Sequence, residues 1–156
     1  MKKSRSIVVF IVICIGLIAL FVVNIFFPPL MNDFAAKQDM NRIKNLPLPE
    51  QTEISETFYL AGNLNGNGNK MQYYGAALLH SDLSIEDIEE HYSAYRKGKY
   101  DLLVQKQESQ NLEEIERNFG FDDTIDADVS DGKYYLVYTW GDGIAPFCWG
   151  IDIRAN

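Results

Sequence analysis

One uninterrupted apolar segment, residues 7–27, limits what this chain can fold into. Its 21 residues include a single polar side chain, that of Asn24. A helix of about 20 apolar residues rises about 1.5 Å per residue and crosses a hydrocarbon core of about 30 Å. Because the segment is apolar on every side, it does not suit the amphipathic core helix of a soluble domain. The sequence therefore predicts a transmembrane helix, residues 7–27, in contact with the lipid bilayer.

The short segment before the apolar run indicates the orientation of the helix. Residues 1–6 contain Lys2, Lys3 and Arg5 and no acidic residue. Basic residues beside a membrane helix favour the cytoplasmic side. We therefore predict a cytoplasmic basic tail, residues 1–6, at the cell membrane, with everything after the helix extracytoplasmic.

The end of the apolar run distinguishes an anchor from a cleaved signal peptide. A signal peptide has an apolar stretch of about 7–15 residues, followed by small residues at the cleavage site. Here the run is longer and ends in Phe26, Phe27, Pro28 and Pro29. A lipidated cysteine would follow a small residue, whereas Cys14 follows three branched aliphatic residues. The pattern indicates an uncleaved, single-pass signal-anchor.

Charge separates the tail from the rest of the chain. Three of the 14 basic residues lie in the tail, and none of the 22 acidic residues does. The rest of the chain therefore has 11 basic and 22 acidic residues, and its net charge is −11. Such a surface repels nucleic acid. Nucleic-acid binding is therefore excluded as a function.

The 129 residues after the apolar run suit one domain of ordinary size.

Prolines mark the expected boundaries between segments. Pro28 disfavours helical backbone in the residue before it, so we expect the membrane helix to end there. Residues 28–50 read as a juxtamembrane helix and a stiff linker that contains Pro47 and Pro49. The extracytoplasmic domain then covers residues 51–156.

The domain has the pattern of a mixed fold. Strands rich in aromatic and β-branched residues alternate with two helices, and most connections are short, which favours antiparallel pairing. The Gly/Asn-rich residues 62–69 are typical of a hairpin loop. We predict an α+β, two-layer domain with a mostly antiparallel sheet of about five strands, one main helix and one short helix. The predicted strands are residues 54–61, 71–80, 100–107, 133–140 and 149–153, and the short helix is residues 111–120.

The main helix has clear start and stop signals. Ser84 is a suitable N-cap, and Asp87 stands three residues later, as in a capping box. Ile88 and Tyr92 lie on one apolar stripe at helical spacing. Gly98 is the residue at which we expect this helix to end.

An aspartate-rich loop is the only metal candidate. Closely spaced carboxylates can bind Ca²⁺, but an EF-hand needs acids at positions 1, 3 and 5 and a glutamate at position 12, and this loop lacks that pattern. Two interpretations stay open: a calcium site without the EF-hand pattern, and a solvated loop that binds no metal. The candidate ligands are Asp122, Asp123, Asp126, Asp128 and Asp131.

No set of residues points to catalysis. Zinc sites need three or four ligands at characteristic spacing, and the domain offers only His80, His91 and Cys148. A serine-hydrolase elbow, Gly-x-Ser-x-Gly, is absent from the sequence. We predict no catalytic residue and no cofactor, and we leave open whether the chain is an enzyme.

Aromatic side chains supply the main argument for a partner. Most must lie in the core, but any surplus on an exposed sheet face would suit a protein, peptide or glycan. The sequence therefore favours a binding or interaction role. The alternatives are a cell-envelope enzyme with a carboxylate-based site and a calcium-responsive domain. The aromatics in question are Tyr73, Tyr74, Tyr134, Tyr135, Tyr138, Trp140, Phe147 and Trp149.

Residues 66–76, 81–92, 136–141 and 152–154 resemble a group of small bacterial proteins. These have one N-terminal membrane helix and a short outer domain. The resemblance covers most of the domain, but its motifs belong to turns and helix caps. It implies a bacterial cell-surface origin and carries over no functional residue.

The predicted orientation can be tested by cysteine labelling. A Lys70→Cys substitution in a Cys148→Ala background should react with a membrane-impermeant thiol reagent in intact cells. Protection in intact cells, together with labelling after lysis, would reverse the predicted orientation.

Overall fold

The computed structural model describes residues 2–62, 71–98, 101–112, 125–143 and 152. A long N-terminal helix precedes a four-stranded sheet, and a short helix lies between the second and third strands. The elements are α1 (Lys2–Lys44), β1 (Thr52–Gly62), β2 (Gln72–Ser81), α2 (Ile85–Ser93), β3 (Leu103–Gln107) and β4 (Tyr134–Asp142).

The sheet is antiparallel throughout, with the strand order β1-β2-β4-β3. Ala76 of β2 faces Phe58 of β1 on one side and Tyr138 of β4 on the other. A shift of register between Ile54 and Glu56 places an irregularity in the edge strand β1. The α+β class and the antiparallel sheet are thus confirmed.

Both faces of the sheet are covered. One face packs Leu79 and Val137 against Ile43 of α1 and against Ile88 and Tyr92 of α2. The opposite face packs strand residues against Leu112, Ile125 and Val129. This two-sided burial explains why β2 is buried along nearly its whole length.

Several predicted boundaries shift. The third strand begins at Leu103 and the last described strand ends at Asp142. The helix after Ser84 ends at Ser93, before the expected stop at Gly98. Asn111 and Leu112 are not helical, and the rest of the predicted short helix, most of the predicted fifth strand (residues 149–153) and the hairpin tip (residues 63–70) lie outside the described residues.

The capping box of α2 is present as predicted. The hydroxyl of Ser84 accepts a hydrogen bond from the backbone N–H of Asp87 at 3.2 Å. The backbone N–H of Ser84 donates in return to the Asp87 carboxylate at 3.3 Å. These bonds satisfy backbone groups that a helix start would otherwise leave unpaired.

The predicted helix break at Pro28 is wrong. Helix α1 continues through Pro28 and Pro29 to Lys44. Proline removes a backbone donor and disfavours helix locally, at a cost of about 3 kcal/mol. That preference is offset by packing, because α1 buries Ala36, Met40 and Ile43 after the prolines. The expected juxtamembrane helix is therefore a continuation of the apolar helix and contributes to the core.

Helix α1 approaches the sheet closely at Gly75. A methyl group on Gly75 would overlap the backbone nitrogen of Met40 and lie 2.8 Å from the carbonyl carbon of Asp39. Those atoms belong to the helix backbone, so they cannot move aside as a flexible side chain would. The hydrogen side chain of Gly75 allows α1 to lie directly on β2.

We predict that Gly75→Ala separates α1 from the sheet and destabilises the protein. The expected loss is about 1–3 kcal/mol, the usual cost of overpacking. Chemical unfolding of the full chain in detergent micelles would measure it. Gly141→Ala is the matched control, because a methyl group there meets no atom within 4 Å. An equal effect of both variants would contradict the close approach at Gly75.

Candidate functional site

The most prominent surface of the chain is the apolar side of α1. From Ile7 to Lys44 the helix includes a window long and apolar enough to cross a membrane, and none of that window is buried. Leucine, isoleucine, valine and phenylalanine side chains along it are largely exposed. Exposed apolar area on this scale marks an interaction surface rather than a solvated one. It is compatible with lipid contact and with a signal sequence.

The apolar surface extends beyond the prolines. Leu30 is 67% exposed and Phe34 is 54% exposed. They follow Phe27 at spacings of three and four residues, which places all three on one side of the helix. Asn32 and Ala36 are buried against the domain on the other side. Helix α1 is therefore covered on one side only in this region.

A buried polar network joins α1 to the domain just after the prolines. The Asn32 side-chain amide donates to the Asp152 carboxylate at 2.9 Å, and the Tyr73 hydroxyl donates to the Asn32 oxygen at 2.8 Å. Asn32 is 1% exposed and Asp152 is 3% exposed. A buried carboxylate needs such hydrogen bonds, because burial otherwise penalises its charge. The network ties residue 152 to the start of the packed part of α1.

A second polar contact joins the far end of α1 to the domain. The Arg42 guanidinium donates two hydrogen bonds to the Asp101 carboxylate, one of them at 3.1 Å. The backbone N–H of Lys97 donates to the same carboxylate at 3.0 Å. The hydrogen bonds from Arg42 are the main reason that the pKa of Asp101 is lowered. Burial raises the pKa of the neighbouring Asp39, although Arg42 acts in the opposite direction.

A charged cluster lies at the opposite end of β2 from Tyr73. His80 Nε2 lies 3.0 Å from an Asp131 oxygen, and His80 Nδ1 lies 3.8 Å from a Glu53 oxygen. The His80 ring also packs against Tyr134, with ring centroids 4.8 Å apart. Beside this group, Lys133 pairs with Asp82. The cluster links the start of β1 to the end of β2 and to the turn before β4.

A shallow pocket opens next to this cluster, and we call it the outer recess. It has a volume of about 290 Å³ and is lined by Gln51, Thr52, Glu53 and His80. Its wall offers carboxylate, imidazole, amide and hydroxyl groups. That set can hydrogen-bond a polar ligand or attract a cationic one. The two nitrogens of His80 contact carboxylate oxygens of Asp131 and Glu53, and these contacts do not pair the ring with a nucleophile.

The candidate calcium ligands are spread over a turn. Asp128 accepts a hydrogen bond from the backbone N–H of Ser130 at 3.0 Å, and Asp131 accepts one from that of Lys133 at 2.9 Å. These bonds are typical of aspartates that shape turns. Asp122 and Asp123 lie outside the described residues. Among the residues that are described, no group of three or more potential ligands converges on one point.

The remaining histidine has a different environment. His91 Nε2 lies 2.8 Å from the carbonyl oxygen of Pro47. This contact attaches the segment after α1 to α2. Cys148 lies outside the described part of the chain.

Sequence reasoning missed both polar contacts of α1. Their partners are far apart in sequence: 120 residues separate Asn32 from Asp152, and 59 separate Arg42 from Asp101. The helical spacing of the sequence could have shown that Asn32 faces the core. Asn32 precedes Ala36, Met40 and Ile43 at spacings of four, four and three, which places it on the same helix face as the buried residues.

No protein-family model, curated protein or solved structure matches this chain.

The Arg42–Asp101 pair predicts a pH-dependent contribution to stability. Because the folded-state pKa of Asp101 is lowered, its contribution is complete above the unfolded pKa of about 4 and disappears as the pH falls through the folded pKa. Asp101→Asn should lower the free energy of unfolding by about 1–2 kcal/mol at pH 7. The loss should shrink below pH 4.

Asp39→Asn is the matched control for this prediction. Because burial raises the pKa of Asp39, folding disfavours its charged form relative to the unfolded chain. Removing that charge should change stability by less than about 0.5 kcal/mol or raise it. Denaturant titrations at several pH values would measure both variants. Equal losses in the two variants would contradict the assignment.

Proposed function

We propose that this protein is a membrane-anchored extracytoplasmic domain whose role is binding. Residues 7–27 of α1 cross the bilayer, the basic tail stays in the cytoplasm, and the acidic domain faces outward. The observation that supports anchoring is the wholly exposed apolar surface of α1. The charge asymmetry between the tail and the rest of the chain supports the orientation.

The packing of α1 supports an anchor that also positions the domain. The second half of the helix is part of the core, through Ala36, Met40 and Ile43. The apolar segment and the sheet are therefore joined by continuous helix, whereas a flexible linker would leave the domain free to rotate. A domain held in this way presents a fixed face to its surroundings.

The outer recess is the proposed contact surface. Tyr73 marks the membrane-proximal end of β2 through its bond to Asn32. His80 lies seven residues further along the same strand, roughly 23 Å away at the rise of a β-strand. The recess therefore lies at the end of the sheet remote from the anchor, where a partner can reach it.

The charge around the recess indicates the chemistry of the partner. Glu53 and His80 line it, Asp131 contacts His80, and Asp82 pairs with Lys133 nearby. A protein, peptide or glycan with hydrogen-bond donors or positive charge complements such a rim. The calcium-responsive and carboxylate-enzyme alternatives remain predictions from the sequence alone.

Anchoring can be tested by placing charges in the apolar segment. Each arginine at the centre of a membrane helix costs about 2.5–3.5 kcal/mol of insertion free energy. Leu17→Arg combined with Leu20→Arg should therefore release the full chain from membranes under alkaline extraction, whereas the native chain should resist extraction. Gln38→Arg combined with Asn41→Arg adds equal charge at exposed positions further along α1 and should leave the chain in the membrane. Extraction of the native chain would contradict anchoring.

The binding role can be tested by affinity capture of the full chain from solubilised membranes. A partner of the outer recess should be recovered with the native protein and lost with Glu53→Lys, because that change reverses the charge of the rim. Glu89→Lys, an equal change on the exposed side of α2, should retain the partner. Recovery of no specific partner under several conditions, or equal recovery with both variants, would contradict the assigned surface.

A further inference from the structure

The exposed apolar side chains beyond Pro29 lack a role in the anchor described above. Leu30 and Phe34 are more than half exposed, although the buried network of Asn32 lies at the same level of the helix. Pro28, four residues before Asn32, is itself buried. The domain therefore begins immediately where the apolar run ends, and α1 is flanked by the domain on one side only.

Helix geometry places these side chains relative to the membrane. Leu30 lies three residues beyond Phe27, or about 4.5 Å, and Phe34 lies seven residues beyond it, or about 10 Å. The polar headgroup layer extends about 5–8 Å beyond the hydrocarbon core on each side. Amphipathic helices bury phenylalanine and leucine to a depth of about 5–10 Å at that boundary. Leu30 thus falls within the headgroup layer, and the Phe34 side chain, which tilts back toward the helix N-terminus, reaches its outer edge.

We propose that the face of α1 carrying Leu30 and Phe34 lies in the lipid headgroup layer, so that the domain rests directly on the membrane surface. The contact continues the apolar surface of residues 7–27 and rests on the anchoring proposed above. Its occupant is lipid, through apolar contact with the interface rather than through charge. The membrane-proximal end of the sheet, at Tyr73 and Gly143, then lies beside the headgroups.

The residues that follow on the same helix face argue against a second copy of the chain as the occupant. A seam between two helices would continue at the next three- and four-residue steps, which are Lys37 and Asn41. Such seams need several heptads of apolar residues, and this face offers only Leu30 and Phe34 beyond the apolar run. Lys37 instead places its ammonium group over the Tyr59 ring, 5.8 Å from its centroid. The apolar surface therefore ends one turn after Phe34.

Site-directed spin labelling of the full chain in zwitterionic lipid vesicles tests the proposal. Single cysteines replace Leu20, Leu30, Phe34 or Asn41 in a background with Cys14→Ala and Cys148→Ala. The measurement is the ratio of label accessibility to oxygen, which partitions into lipid, and to a water-soluble nickel chelate. The ratio should be several-fold higher at positions 30 and 34 than at position 41, and highest at position 20. Adding anionic lipid should leave it unchanged.

The outcomes separate this proposal from the anchor itself. A lipid-like ratio at position 20 with a water-like ratio at position 34 would overturn the surface contact and leave anchoring intact. A water-like ratio at position 20 would overturn both. Low accessibility to both reagents at position 34 would indicate a protein partner and also overturn the lipid assignment. A benzoylphenylalanine at position 34 in the chain with its native cysteines should crosslink to lipid, and crosslinking only to protein would count against the proposal.

Discussion

The architecture depends on the contact between helix α1 and strand β2. At Gly75 the helix backbone lies directly on the strand, where no side chain larger than hydrogen fits. Ala36, Met40 and Ile43 bury their side chains along the same helix. Because the apolar residues 7–27 belong to this helix, the apolar segment and the core of the domain are parts of one continuous element.

Two polar contacts fix the rotation and the position of α1 on the sheet. Apolar packing alone is non-directional, whereas hydrogen bonds require particular partners. Asn32 binds Tyr73 and Asp152 near the prolines, and Arg42 binds Asp101 nearly three turns later. A helix held at both ends of its packed region fixes the orientation of the apolar segment relative to the sheet. The outer recess, formed by Gln51, Thr52, Glu53 and His80, thereby has a set place relative to the apolar segment.

Local signals allowed much of the fold to be predicted from the sequence. The capping box at Ser84 and the alternating aromatic strand that begins near Tyr134 depend on neighbouring residues, and both are present. Helix continuity through Pro28 could not be predicted in this way, since it depends on packing against a strand some 40 residues further along the chain. The Asn32–Asp152 bond and the His80 cluster likewise join distant segments. A candidate surface could therefore be placed only after the sheet register was known.

The central claim is that α1 is one unbroken helix from the apolar segment into the domain. Spin labels at Leu17→Cys and Gln38→Cys, in a background with both native cysteines replaced by alanine, lie on either side of Pro28 and Pro29. The 21 intervening steps of an α-helix correspond to about 31 Å. Pulsed electron spin resonance of the full chain in lipid vesicles should give one narrow distance distribution near that value. A broad distribution, or one centred at a clearly shorter distance, would contradict the claim.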